Sequence, residues 1–286
     1  MPSLIDIRRR IRSVKNTQQI TKAMKMVSAA KLRRAQDRVI AARPYAAALR
    51  KVIANVAAAG AGDDRVAANT LLAQRPERHA LLILVSADKG LAGAFNTNLI
   101  KAAVRFPAEH GGAEMTLELV GRKGRDFFRK RSAKISGDQI GLAAKPRYEE
   151  TAVIARRAME MFRNEEIDAV YLLYNEFKSI MTQRVTLSRV LPVEMKPEQA
   201  AVDYIFEQPP GVMLEALLPR YVEMEIYRAL LESTAAEHAA RMTAMDAATS
   251  NAGDVIDTLT LNMNRVRQAS ITKEIIEVVS GAAAAE

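Results

Sequence analysis

The chain has no cysteine and no tryptophan, and only 5 % of its 286 residues are aromatic. Without cysteine there is no disulfide framework, no thiol nucleophile and no zinc–thiolate site, a composition that fits a reducing compartment. With 49 % hydrophobic residues and so few rings, the core has to be aliphatic. No run of about 18 apolar residues occurs, and the first residues carry charge from Asp6 onward, so neither a membrane span nor an export signal is expected. The arginine-rich start resembles an organellar transit sequence in composition, but its periodicity continues unbroken along the rest of the first helical stretch.

Helix breakers are missing in a patterned way. From Ser3 to Ala59 there is no glycine and one proline, Pro44; from Arg220 to Ser280 there is no proline and one glycine, Gly253. Either stretch as one helix would be on the order of 85 to 90 Å long, against an average of ~11 to 12 residues for a globular helix. Helices of that length are expected to pack on each other and to project from a domain of this size. Charge divides likewise. Residues 1–57 carry 14 Lys and Arg against Asp6 and Asp37, whereas residues 211–286 carry 6 against 11 acidic residues. Two helices of opposite sign attract side by side, and the surplus positive charge calls for an acidic partner outside the chain.

Apolar positions in the first stretch are Leu4, Ile7, Ile11, Val14, Ile20, Met24, Val27, Leu32, Ala35 and Val39. In the second they run Leu231, Ala235, His238, Met242, Met245, Thr249, Ala252, Ile256, Leu259, Met263 and Val266, in steps of four and three. Spacing of 3.5 over several heptads predicts an antiparallel coiled coil of the two ends. Ala, Met and Thr outnumber Leu in that seam, which allows close approach and easy repacking. His238 lies within it and reads as a packed or hydrogen-bonded imidazole, since His79 and His110 are far away in sequence.

Between the helices, Ala80–Ser86 (ALLILVS) has strand character, succeeded by the glycine-rich turn Asp88–Gly93 and a helix from about Phe95. Thr116–Val120 repeats the strand signal ahead of the basic segment Arg122–Arg131. A helix over Glu149–Arg163 leads to a strand over Ile167–Tyr174, and Met181–Val190 alternates as an edge strand returning from it. This order predicts a mainly parallel sheet with helices on its faces, a Rossmann-like α/β domain. The expected division is a coiled-coil helix over 1–59, an α/β foot domain over 75–208, left through Gln208, Pro209, Pro210 and Gly211, and a second coiled-coil helix over 211–286.

Gly90 and Gly93 sit at a strand-to-helix turn, where backbone amides could hold an anion. GLAG nevertheless lacks both the GxGxxG fingerprint and the Lys–Ser/Thr ending of a phosphate loop, so the glycines read as permitting a tight turn. GxSxG, HExxH, CxxC and spaced pairs of His with carboxylate do not occur. No catalytic residue, cofactor or metal ligand is therefore assigned, and function is expected to rest on shape and partners.

Four separated segments, Ile20–Ala30 (ITKAMKMVSAA), Ser86–Asn98 (SADKGLAGAFNTN), His238–Asp246 (HAARMTAMD) and Ile271–Ala282 (ITKEIIEVVSGA), are similar to the gamma subunits of rotary F-type ATP synthases, and the likeness extends over nearly the whole chain. It implies a central-stalk rotor subunit without an active site of its own. Its terminal helices would form a curved antiparallel coiled coil in the cavity of the catalytic hexamer of alpha and beta subunits. Its α/β domain would sit at the foot with the epsilon subunit and the c-subunit ring, coupling proton flow to ATP synthesis. By the same resemblance Arg267 and Gln268 would bond to a loop of a catalytic subunit, Lys22, Met24 and Lys25 would lie near that subunit's acidic lever, and Tyr204, Phe206 and Glu207 would touch the c ring. The implied location is peripheral, on the cytoplasmic face of a bacterial inner membrane, or on the matrix side if mitochondrial. Chloroplast members carry a regulatory insertion with two cysteines that this chain lacks, which excludes redox switching through a dithiol. Two readings from other classes compete. One is a nucleic-acid-binding coiled coil, in which the basic helix tracks phosphates; against it, only Tyr45 offers a ring to stack and no nucleic-acid partner is expected. The other is a nucleotide-dependent enzyme built on Ser86–Phe95, which leaves the long helices unexplained.

Overall fold

A computed structural model of the chain describes residues 3–60, 63–194 and 206–283. Two helices dominate. α1 runs over Leu4–Ala59 and contains Pro44 on its exposed side. The last long helix, α6, runs over Pro210–Ala283, 74 residues, and begins ten residues before the proline-free stretch because Pro219 is accommodated inside it. Between them a short helix α2 (Asp64–Ala67) is capped by the Asp63 carboxylate, which accepts from Arg65 N. Next come β1 (His79–Val85), α3 (Phe95–Glu109), β2 (Glu114–Val120), α4 (Arg122–Arg129), β3 (Ile135–Gln139), α5 (Tyr148–Arg163), β4 (Ala169–Phe177) and β5 (Gln183–Leu191).

The sheet order is β3-β2-β1-β4-β5, with β1, β2, β3 and β4 parallel and β5 antiparallel to β4. The returning edge strand expected at Met181–Val190 is therefore present as β5. β3 was not expected. Its sequence, ISGDQ, has neither an apolar run nor alternation, and it is held instead by pairing with β2 and by Ser136, whose hydroxyl donates to the buried Glu118 carboxylate at 2.8 Å. The basic segment after β2 is the helix α4.

Successive β1 residues face opposite sides, and so the sheet has two cores. Leu81, Ile83 and Val85 pack with α5, with Leu49, Ile53 and Val56 of α1 and with Leu214, Leu218, Val222 and Ile226 of α6. Ala80, Leu82 and Leu84 pack with Leu99, Ala103 and Phe106 of α3 and Phe128 of α4. A strand buried on both faces reads as a continuous apolar run, which is why ALLILVS was legible as a strand.

By packing, the chain forms two units, Met1–Ser28 with Met242–Glu286, and Ala29–Arg241. In the first, α1 and α6 are antiparallel: Gln18 Nε2 donates to Thr249 O at 3.4 Å, Thr21 and Thr249 hydroxyls meet at 2.8 Å, and Lys25 pairs with Asp246 at 2.5 Å. The α6 seam holds its expected register, every residue from Met242 to Val266 on it being buried or half-buried. The α1 seam differs from expectation at two places. Ile20 and Val27 are 60 % and 55 % exposed, and their places are taken by Gln18, Thr21 and Ser28. Steps of three and four from Leu4, Ile7, Ile11 and Val14 pass through these polar residues, so register set by the whole helix prevails over local hydrophobicity.

Candidate functional site

In doubly wound sheets a ligand lies beyond the carboxyl ends of the strands where the order reverses, here between β1 and β4. The protein fills that place with itself. Ser86 Oγ donates toward Val120 O at 3.0 Å and accepts from Gly124 N at 2.9 Å, while the Asp88 carboxylate accepts from Arg122 N and Gly141 N at 3.0 and 3.1 Å. Asn96 Oδ1 accepts from Ala87 N at 3.0 Å. The turn after β1 is thus tied to the ends of β2 and β3 by side chains that a phosphate loop would leave free. Helix α6 crosses the same edge: Ser233 Oγ reaches Val85 O, and the Arg241 guanidinium donates to Gly90 O at 3.3 Å. Leu91 and Gly93 take the positive φ values, 62° and 55°, that the tight turn needs.

The seating of α6 depends on charged residues that hydrophobic patterning does not reveal. Arg228 lies between Glu225 at 2.7 Å and Glu232 at 3.0 Å, and Arg50 of α1 joins Glu225 at 2.8 Å. Further along, Glu237 pairs with Arg241, and the Arg241 guanidinium reaches His238 Nδ1 at 3.4 Å. Burial pushes the Glu237 carboxyl up, against the pull of Arg241. Burial first, then Arg241 and Lys31, hold His238 down at about 4, so its ring is neutral near pH 7. The expected packed imidazole is what is found. The signal for this network was available as Glu and Arg at i, i+3 and i+4 spacing within an otherwise apolar helix stretch.

The residues named from the sequence fall into three places. Lys22 is exposed, while Met24 and Lys25 are half-buried on α1, with Lys25 joined to Asp246. Arg267 and Gln268 are exposed on α6 just after Val266, the last half-buried seam residue, and Arg267 makes no ion pair among the described residues. Beyond them everything from Ala269 to Ser280 is exposed, including Ile271, Ile275, Ile276, Val278 and Val279. Tyr204 lies outside the described residues. Phe206 and Glu207 line a cavity of about 470 Å³ with Val52, Asn55, Val56 and Met213. Among the described residues no cluster of His, Asp and Glu could hold a metal ion, and no helix is long and apolar enough to cross a membrane.

A family model described as ATP synthase matches residues 3–285. The chain is 76 % identical to the ATP synthase gamma chain of Solibacter usitatus (strain Ellin6076), covering 100 % of both chains. It is 49 % identical to that of Anaeromyxobacter sp. (strain Fw109-5), covering 99 % of both. Among solved structures it resembles a chain of the Euglena gracilis mitochondrial ATP synthase in rotational state 3, with a TM-score of 0.67 at 20 % identity over 98 % of this chain and 94 % of that one. It also resembles a chain of the Tetrahymena thermophila mitochondrial central stalk and c ring, at 0.58 and 24 % over 80 % and 99 %. These two likenesses establish a shared fold.

Proposed function

This chain belongs to the ATP synthase gamma-chain family, the non-catalytic central-stalk subunits of the F-type enzyme, and on that premise we propose that it couples proton flow through a membrane ring to conformational cycling of a catalytic hexamer. The observation that carries the reading is the end of α6. From Arg267 to Ser280 every residue is exposed, and five large aliphatic side chains stand among them, a surface that a lone soluble helix would not carry and that a surrounding ring of subunits would bury. Segments 1–59 and 211–286 serve as the shaft and 75–208 as the foot.

In this reading the alpha and beta subunits surround the shaft, Arg267 and Gln268 hold a loop of one catalytic subunit, and Lys22, Met24 and Lys25 lie toward its acidic lever. Tyr204, Phe206 and Glu207 face the c ring, with the epsilon subunit beside the foot, on the cytoplasmic side of a bacterial inner membrane. The chain performs no chemistry. Each rotor angle makes different contacts with the three catalytic subunits, and only such differential contact free energy can shift their conformations. Gentle extraction of membranes through a tag on this chain should co-purify a nucleotide-hydrolysing hexamer together with the epsilon and c subunits. Recovery of the chain without a hexamer would sink the proposal.

A further inference from the structure

Where α1, the loop before α5 and α6 come together in the unit Ala29–Arg241, there is a pocket of about 190 Å³ whose lining contains four cations, Lys31, Arg34, Arg38 and Lys145, and no carboxylate. None of the four makes an ion pair or side-chain hydrogen bond among the described residues. Three of them stand on one helix at i, i+3 and i+7 and repel one another there. The base is closed by Ala35, Leu231, Thr234 and His238, all buried. Thr234 Oγ1 has its single proton engaged by the carbonyls of Ala143 and Leu230 and so ties the loop wall to α6.

His238 supplies an independent observation. It is only 7 % exposed. Its Nδ1 lies 3.4 Å from an Arg241 nitrogen, and a guanidinium can only donate, so Nδ1 is the acceptor and the neutral ring carries its proton on Nε2. That Nε2–H has no partner among the described residues, although the ring lines the pocket. Nε2 is not among the buried polar atoms left without a partner, so water in the pocket reaches it, and an anion bound there would replace that water as its acceptor.

We propose that this pocket binds a phosphate-type oxyanion, held by Lys31, Arg34, Arg38 and Lys145 at the mouth and by the His238 Nε2–H at the base. The pocket, about 190 Å³ and open to solvent on one side, has room for a tetrahedral oxyanion with accompanying water and leaves space outside it for anything that oxyanion is attached to. The ligand is therefore free inorganic phosphate or the terminal phosphoryl group of a nucleotide whose base stays outside. Arginine offers planar paired donors to such oxygens and lysine a point charge, the combination expected where phosphate is recognised by side chains. The bound anion relieves the repulsion along α1 and faces Glu237 and Arg241 of α6 across His238. A dianion near His238 would favour the imidazolium and lift its pKa from about 4.

The test is proton and nitrogen NMR on the full chain with labelled histidine, titrated with inorganic phosphate and, in a second arm, with ADP. The expected result is a saturable shift of the His238 ring signals and a rise of its pKa by about one unit or more, with His79 and His110 unmoved and sulfate competing. Arg34→Ala combined with Arg38→Ala should weaken binding about tenfold or more for each guanidinium lost. Lys145→Glu, at an exposed position, should abolish it and stands in if the double variant does not fold. A tighter response to ADP with the same signals identifies the nucleotide phosphoryl group as the source; a response to phosphate at least as tight identifies free phosphate. No saturable shift, an equal shift with sodium chloride at matched ionic strength, or unchanged binding by the variants overturns the proposal.

Discussion

Gly121 precedes α4 with φ of 92°, and a Cβ placed there would collide with the carbonyl oxygen of Ser86. Gly121→Ala combines a left-handed backbone with backbone overlap that no rotamer change relieves, so a loss above ~4 kcal/mol is expected, visible as failure to fold or a large drop in urea midpoint. His238 gives a prediction in pH. Its folded pKa of about 4 lies below the unfolded 6.5, so between these values the unfolded chain binds a proton that the folded chain does not. Stability must then fall as pH drops through that window, by at most roughly 3 kcal/mol. Glu237, whose carboxyl is pushed up, acts in the opposite sense, because the folded state takes up its proton first on acidification. The comparison to make is therefore parent against His238→Gln in phosphate-free urea titrations from pH 7 to 4.5. A parent slope no steeper than the variant's would show that His238 is not held neutral.

The helices show what a sequence can and cannot announce. Missing glycine and proline together with 3.5-residue spacing made two long paired helices legible, and on α6 every seam residue kept to the expected steps. On α1 the polar residues Gln18, Thr21 and Ser28 occupy the seam while Ile20 and Val27 face out, because an apolar residue one step off register is invisible to a reading that tracks hydrophobicity. The edge strand β3 was missed for a similar reason, its place being fixed by β2 and Glu118 rather than by its own composition. The polar seam invites a double-mutant cycle. Thr21 and Thr249 hydroxyls meet at 2.8 Å and each also lies within reach of a carbonyl of its own helix, so with one proton apiece one donates across the pair and the other to its own helix. Replacing one by Val leaves the other hydroxyl short of a partner and should cost about 1 kcal/mol, whereas Thr21→Val with Thr249→Val should be near neutral or stabilising. Additive losses in chemical denaturation would mean that the two hydroxyls are not coupled.

At the scale of the molecule, an α/β sheet with doubly wound order has its usual ligand crevice occupied by Ser86, Asp88 and α6, so the fold is used as a mount and the chemistry lies in other subunits. The α/β order was readable in the strands; the occupation of the crevice was not, since Ser233 and Arg241 are more than a hundred residues from the loop they contact. The proposed contacts with other subunits rest on family resemblance alone, and Arg267 is where that proposal can be tested most sharply. Its guanidinium is exposed and makes no ion pair among the described residues, at the point where α6 loses its partner helix. A planar group with five donors can clamp a carboxylate in a way an ammonium cannot, so Arg267→Lys should impair turnover almost as much as Arg267→Ala. Removing a charge-assisted contact made at one rotor orientation should withdraw ~1.5 to 3 kcal/mol from that orientation alone, about ten- to a hundredfold in rate if it is the limiting one. ATP synthesis and hydrolysis should fall together, while assembly, which depends on the whole shaft, persists. The measurement is turnover in both directions on purified complex carrying Arg267→Ala with its subunit content verified; full assembly with parental rates in both directions would remove Arg267 from the coupling contact.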